Sequence, residues 1–362
     1  GMLELIFLPL LITLIRSDYS NKINFFFSFI SFVLIYWQFS FGINGNLTID
    51  GFFRTSGILI GLVCAMILVK DVRDFKLVIS CIFISTIFPV LLTFVQYILE
   101  LGNIEILFSK GGGALRGKRL SGLYYDPATL GMVSLISIIS GLYLIVINYF
   151  DRRYIYTIIA IAGFMCIIGQ TRSILFISSL IFSFFFFKYI NKSYKAFIIF
   201  IPILLYFGGD YVDQVWNKSL QDVPNVGEIE FLLQDSDYST LLTGRVGIWQ
   251  NYWQKFINAT FIEKVLGHGY ISGHSHNTYL GLLLHSGVLG LSLYLIFHFL
   301  VIIQLISSKT KDDINLISSF SILAILLIGF SSTAVIYTSF QWIIYFIIGS
   351  QIVLNNNSSR YA

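Results

Sequence analysis

The 362-residue chain is 56% hydrophobic and 12% charged, with a formal net charge of +4 and a mean hydropathy of +0.80. A soluble domain carries about 25% charged residues, so the composition excludes a water-soluble enzyme and fits a polytopic membrane protein. No nucleic-acid partner is expected.

Gly1 ahead of Met2 reads as a tag-cleavage remnant. With no cleavable signal in sight, the first hydrophobic run is expected to serve as the targeting segment. A spanning helix needs about 20 mostly apolar residues. Runs of that kind predict eleven helices, with ten to twelve as the range, at 2–15, 23–41, 56–69, 77–99, 127–147, 154–168, 174–190, 196–207, 276–306, 314–330 and 334–354. A membrane β-barrel would alternate polar and apolar residues. Residues 181–187, Ile-Phe-Ser-Phe-Phe-Phe-Phe, do not alternate. The expected fold is therefore an all-α polytopic membrane protein.

Basic residues in short loops mark the cytoplasmic side. They occur at Arg16 and Lys22, at Lys70, Arg73 and Lys76, at Arg152 and Arg153, at Lys188, Lys192 and Lys195, and at Lys309 and Lys311. The long segments 100–126 and 208–275 then lie on the outer side, and eleven spans put the N-terminus outside too. The chain divides into N-terminal scaffold helices (2–99), a basic glycine-rich loop (100–126), central helices (127–207), a large outer loop (208–275), C-terminal helices (276–354) and a cytoplasmic tail (355–362). Cys64, Cys81 and Cys166 fall in apolar runs with neither disulfide nor metal spacing, and are expected to be buried core thiols.

The first outer loop holds Lys110, Arg116, Lys118 and Arg119 among glycines, and ends in Asp126-Pro127, an N-cap followed by a proline suited to the first helical position. It reads either as solvated charge or as an anion clamp. Arg172 sits in the short turn 169–173, so it lies near the membrane edge, where it either reaches lipid phosphate or belongs to a site. The second outer loop has eight acidic and four basic residues. Its Asp235-Ser-Asp237 has the form of a divalent-metal pair, a pattern that also arises by chance. Further on, Ile248, Trp249, Tyr252, Trp253 and Phe256 share one face at helical spacing and predict a helix lying at the membrane interface. Arg245 falls in its first turn, where the helix dipole favours an anion; a cation fits there if both share that anion.

Four of the five histidines, His268, His274, His276 and His285, fall within 267–290. None of their spacings gives a zinc signature. His285 lies well inside the ninth span, where bonding to a neighbouring helix is the simplest role, and His298 is expected deeper along the same helix, near the cytoplasmic side.

Together these segments resemble the O-antigen ligase and polysaccharide polymerase (Wzy) superfamily of bacterial inner-membrane glycosyltransferases. The resemblance rests on Arg119-Leu-Ser-Gly-Leu-Tyr-Tyr-Asp-Pro127, on Thr171-Arg172-Ser173, on Gly244-Arg245 with Trp249, and on Gly267-His-Gly269 followed by His276-Asn277-Thr-Tyr-Leu280 and Gly287-x-x-Gly290. It covers about 115–300. It implies a GT-C-type helical bundle with a site facing the periplasm, a donor glycan on undecaprenyl diphosphate, a lipid-linked acceptor, membrane lipid as surroundings, a chain-length regulator as a further partner, and no metal or cofactor. In such a reaction fixed cations stabilise the diphosphate leaving group. Arg119, Arg172 and Arg245 are expected to be catalytic, with Arg116 and Lys118 assisting and Trp249 contacting substrate. His276 is expected either to take the acceptor proton or to bond the diphosphate. His274 is the reserve, and Asn277 or Asp126 would orient the histidine. A polymerase is expected ahead of a ligase, a protein O-oligosaccharyltransferase, or a lipid-glycan flippase. A flippase would want charges deep in the spans, whereas here they gather in the outer loops.

Overall fold

The computed structural model describes residues 49–101, 115–116, 119–120, 127–168, 172–189, 245–268, 275–308, 312–331 and 338–358. The runs expected at 2–15, 23–41 and 196–207 lie outside these residues. In chain order the described elements are α1 (Ile49–Leu68), α2 (Val72–Leu101), β1 (Leu115–Arg116), β2 (Arg119–Leu120), α3 (Pro127–Val146), α4 (Arg152–Ile168), α5 (Arg172–Tyr189), α6 (Arg245–Asn258), α7 (Phe261–Leu266), α8 (Thr278–Ile306), α9 (Asp312–Ser331) and α10 (Thr338–Ser358). Among the described residues, Val72–Ile98, Ala128–Val146, Thr278–Ile306 and Asp313–Phe330 are long and apolar enough to cross a membrane.

Several helices outrun their apolar cores. α2 starts at Val72 rather than 77 because Asp71 caps it. Its Oδ1 accepts from the backbone N–H of Arg73 at 2.7 Å and of Asp74 at 3.0 Å, and Asp74 Oδ2 accepts from Lys70 N–H at 2.9 Å. The backbone donors of Asp74 and Arg73 hold the Asp71 carboxyl below its ordinary range. α2 also continues through Pro89, which lacks the N–H that a helix interior uses. α10 carries on through Asn355–Asn357 to Ser358, past the expected end of the apolar run. One element departs from the all-helical expectation. β1 and β2 pair antiparallel, with Leu115 opposite Leu120 and Arg116 opposite Arg119. A ladder of two-residue strands is too short to show alternation in the sequence.

The chain divides into two compact units. One comprises residues up to Ile87, Ile139–Thr157 and Tyr252 onward; the other comprises Phe88–Ile138 and Ile158–Asn251.

In the first unit α1 packs along α10, α10 on α9, α9 on α8, and α8 on α7. Small residues set the α1–α10 approach, as in other membrane helix pairs. A Cβ on Gly61 would run into the backbone of Trp342 and Phe346, and one on Gly349 would meet Leu62 and Ala65. The α8–α10 contact contains a buried polar bond. His298 Nδ1 lies 2.8 Å from the Tyr294 carbonyl, which can only accept, so Nδ1 carries the proton. Nε2 therefore accepts from the Tyr345 hydroxyl, also at 2.8 Å. His298, deep in α8, is thus bonded to the neighbouring helix α10. Tyr345→Phe leaves that buried nitrogen without a donor, and is expected to destabilise the fold by about 1 kcal/mol, read as a lower unfolding midpoint in detergent.

The second unit joins aromatic and small side chains. Phe164 of α4 meets Phe94 and Tyr97 of α2 edge-on, with centroids 5.9 and 5.7 Å apart. Cys166 is buried, its Sγ 3.8 Å from Ser178 Oγ of α5, whereas Cys64 is half-buried and Cys81 is exposed, so only one of the three thiols lies in the core.

Candidate functional site

The histidine-bearing stretch belongs to the first unit, and it begins at α7. Thr260 caps this helix reciprocally with Glu263. The Glu263 N–H reaches Thr260 Oγ1 at 3.3 Å, while Glu263 Oε2 accepts from both Thr260 N–H and its hydroxyl at 2.8 Å. The Thr260 N–H above all, then its hydroxyl, hold the Glu263 carboxyl below its ordinary range. The other carboxylate oxygen, Oε1, lies 3.3 Å from His268 Nδ1. His268 Nε2 is buried without a hydrogen-bond partner among the described residues. This glutamate–histidine pair has no counterpart among the residues expected from sequence to form the site. The only signal for it was the capping pattern Thr-x-x-Glu followed five residues later by a histidine.

After α7 the chain crosses α8 backbone to backbone. Gly267 has φ +90 and Gly287, inside α8, has φ +67 and ψ −174. Only glycine takes both conformations easily. The contact is reciprocal. A Cβ on Gly267 would collide with the His285 carbonyl, and one on Gly287 with the Val265 carbonyl. The break at Gly287 interrupts the regular helix, and the Leu284 carbonyl accepts from His268 N–H at 2.9 Å. The continuous apolar run gave no hint that the ninth span is broken here.

The expected start of that span is also corrected. The apolar run puts His276 at the first helical position, but α8 begins at Thr278 with Asn277 as its N-cap. Asn277 Oδ1 accepts from the N–H groups of Tyr279 at 2.9 Å and Leu280 at 3.0 Å. Its Nδ2 donates to the Phe330 carbonyl at 3.1 Å, at the end of α9. Tyr279 adds a second tie, its hydroxyl donating to the Leu326 carbonyl at 2.7 Å. Ser275 closes the turn through its hydroxyl, which donates to the Asn277 carbonyl at 2.5 Å. His276 is held between them, exposed, with φ +49. That is left-handed backbone, uncommon for any residue other than glycine.

The expected cations belong to the second unit. Arg116 and Arg119 occupy directly opposite register positions in the hairpin. Arg172 is the first residue of α5 and Arg245 the first residue of α6. Trp249 follows on α6, half-buried. Lys118, Asp126, His274, Asp235 and Asp237 lie outside the described residues. Among the described residues no three His, Cys, Asp or Glu side chains converge as a metal site would require.

α6 is amphipathic as expected, though its faces are unequal. Tyr252 is buried, Lys255 Nζ stands 5.9 Å from the Tyr252 ring centroid, and Trp253 and Ile257 point outward. α7 continues the outward apolar surface with Phe261, 80% exposed, and Ile262, 67% exposed.

The long apolar helices define a multi-pass helical membrane protein. No family model and no curated protein matches the chain.

Proposed function

We propose that this protein is a Wzy-type polymerase of surface polysaccharide, a GT-C-type glycosyltransferase with eleven spans in the bacterial inner membrane and its site facing the periplasm. The donor is a glycan chain on undecaprenyl diphosphate, and the acceptor is a new lipid-linked repeat unit. The acceptor hydroxyl oxygen attacks the anomeric carbon of the donor. The bond from that carbon to the diphosphate oxygen breaks, and undecaprenyl diphosphate departs with the electron pair. His276 takes the hydroxyl proton.

The observation that carries this reading is the position of the arginines. Arg172 and Arg245 each open a helix. A helix N-terminus presents free N–H groups and positive partial charge, so it attracts anions and disfavours cations. Placing an arginine at two such ends makes physical sense when a diphosphate is shared with the helix. Arg116 opposite Arg119 poses the same problem, since like charges at opposed positions repel. Lys118 and Trp249 would assist binding, and a chain-length regulator protein is a fitting partner. The outward aromatic and aliphatic residues of α6 and α7 suit an interfacial position in lipid.

The test is a deletion strain together with reconstituted protein. A polymerase deletion leaves lipopolysaccharide capped by a single repeat unit. Bare core with accumulated lipid-linked polymer would instead mark a ligase, and repeat units trapped on the cytoplasmic leaflet a flippase. In proteoliposomes, lipid-linked repeat units are expected to lengthen in the presence of a chelator. Loss of elongation on chelation would return Asp235 and Asp237 as metal ligands.

A further inference from the structure

Two described stretches meet the start of α8, residues 267–268 and residues 275–277. In the first, His268 N–H is bound to the Leu284 carbonyl. In the second, Asn277 caps the first turn of the same helix and is tied to Phe330. Leu284 lies six residues beyond Thr278, about 9 Å along a helix. Both anchors therefore fall within the first two turns of α8. The first exists because Gly287 breaks the helix and Gly267 has no side chain. The second depends on an amide, because Asn277 must accept from two N–H groups and donate to a carbonyl. Beside the second anchor, between Ser275 and Asn277, His276 is kept in left-handed backbone while remaining exposed. Such a conformation persists where its surroundings over-determine it, and it clusters at functional positions.

We infer that the Gly267–Gly287 backbone crossing and the Asn277 cap form one positioning device that fixes the His276 imidazole at the mouth of α8. Gly267, Gly287 and Asn277 are then positioning residues acting through His276. The inference rests on the transferase reading for its chemical purpose, while the placement of the ring can be measured apart from it.

The full chain in proteoliposomes is assayed with an undecaprenyl-diphosphate-linked repeat unit. Acylation of His276 by diethyl pyrocarbonate is followed in parallel by peptide mass. Gly287→Ala and Gly267→Ala are expected to lower kcat by up to about 10²-fold with KM for the lipid donor unchanged, the signature of misplacement rather than lost binding. The His276 acylation rate is expected to shift several-fold in both. Gly163→Ala, whose Cβ would enter open space, keeps wild-type values. If the glycine variants do not insert, Asn277→Ser carries the test, since it keeps a capping oxygen and drops the donation to Phe330. It should give the same paired change. Folded variants with wild-type acylation of His276 overturn the inference, whatever their turnover. A wild-type chain that elongates nothing, with variants whose His276 acylation still shifts, leaves the positioning device standing and removes the transferase reading.

Discussion

His276→Ala is expected to reduce glycan elongation by about 10²–10⁴-fold, the usual contribution of a general base, in a protein that still inserts and folds. Alanine alone is an ambiguous probe here. His276 has φ +49, and alanine tolerates that backbone less well than histidine does. His276→Asn separates the two effects, because asparagine adopts left-handed backbone readily but cannot take the proton. Equal loss in both variants, with unchanged unfolding midpoints, assigns the effect to chemistry. Loss in the alanine variant alone would make His276 a turn residue, and wild-type turnover in both would end its candidacy. The rival within reach is His268, whose Nδ1 is held by Glu263 and whose Nε2 is buried. If His276→Asn is active and His268→Asn is not, the base is the histidine that the motif did not single out.

Hydropathy made the interiors of the helices legible and left their ends obscure. The runs at 127–147 and 314–330 match α3 and α9 to within two residues at each end, because no charged residue interrupts them. α2 begins earlier than expected because a capped helix extends over polar residues that an apolar window rejects, here through Asp71. The break at Gly287 was hidden for the opposite reason. A single glycine inside a long apolar helix barely changes its mean hydropathy, and its meaning lies in the backbone of residue 267, twenty positions away. Long-range pairs share that difficulty. His298 and Tyr345 are 47 residues apart, and so are Tyr279 and Leu326. Asn277 was legible as a motif residue but not as a cap, since its role requires the Phe330 carbonyl at the end of α9. The helix α6 itself was legible because aromatic residues at helical spacing signal it directly. The continuation of that apolar surface onto Phe261 and Ile262 was not, because the six-residue α7 is too short to show periodicity.

Arg245 offers the sharpest separation between a structural and a chemical role. Arg245→Ala is expected to lower elongation by about 10²–10³-fold, comparable to removing one donor that stabilises developing charge. Structure alone predicts a change of the opposite sign. A cation at the first position of α6 opposes the helix dipole, so its removal should stabilise the isolated helix by about 0.3–1 kcal/mol. The variant should therefore unfold no earlier than wild type in detergent without lipid diphosphate. Adding undecaprenyl diphosphate should raise the wild-type midpoint by ligand linkage and raise that of Arg245→Ala less. Arg245→Lys restores the charge without the planar fork that grips two phosphate oxygens, so it should recover only part of the turnover. Full recovery by lysine would reduce the requirement to a point charge near the membrane. A lowered midpoint in Arg245→Ala without ligand would show that the arginine is a structural partner of the loop, and the assignment of α6 as an anion-binding helix would then fail. Arg172, which opens α5 in the same way, should repeat the pattern, and the two substitutions should combine less than additively if both cations hold one diphosphate.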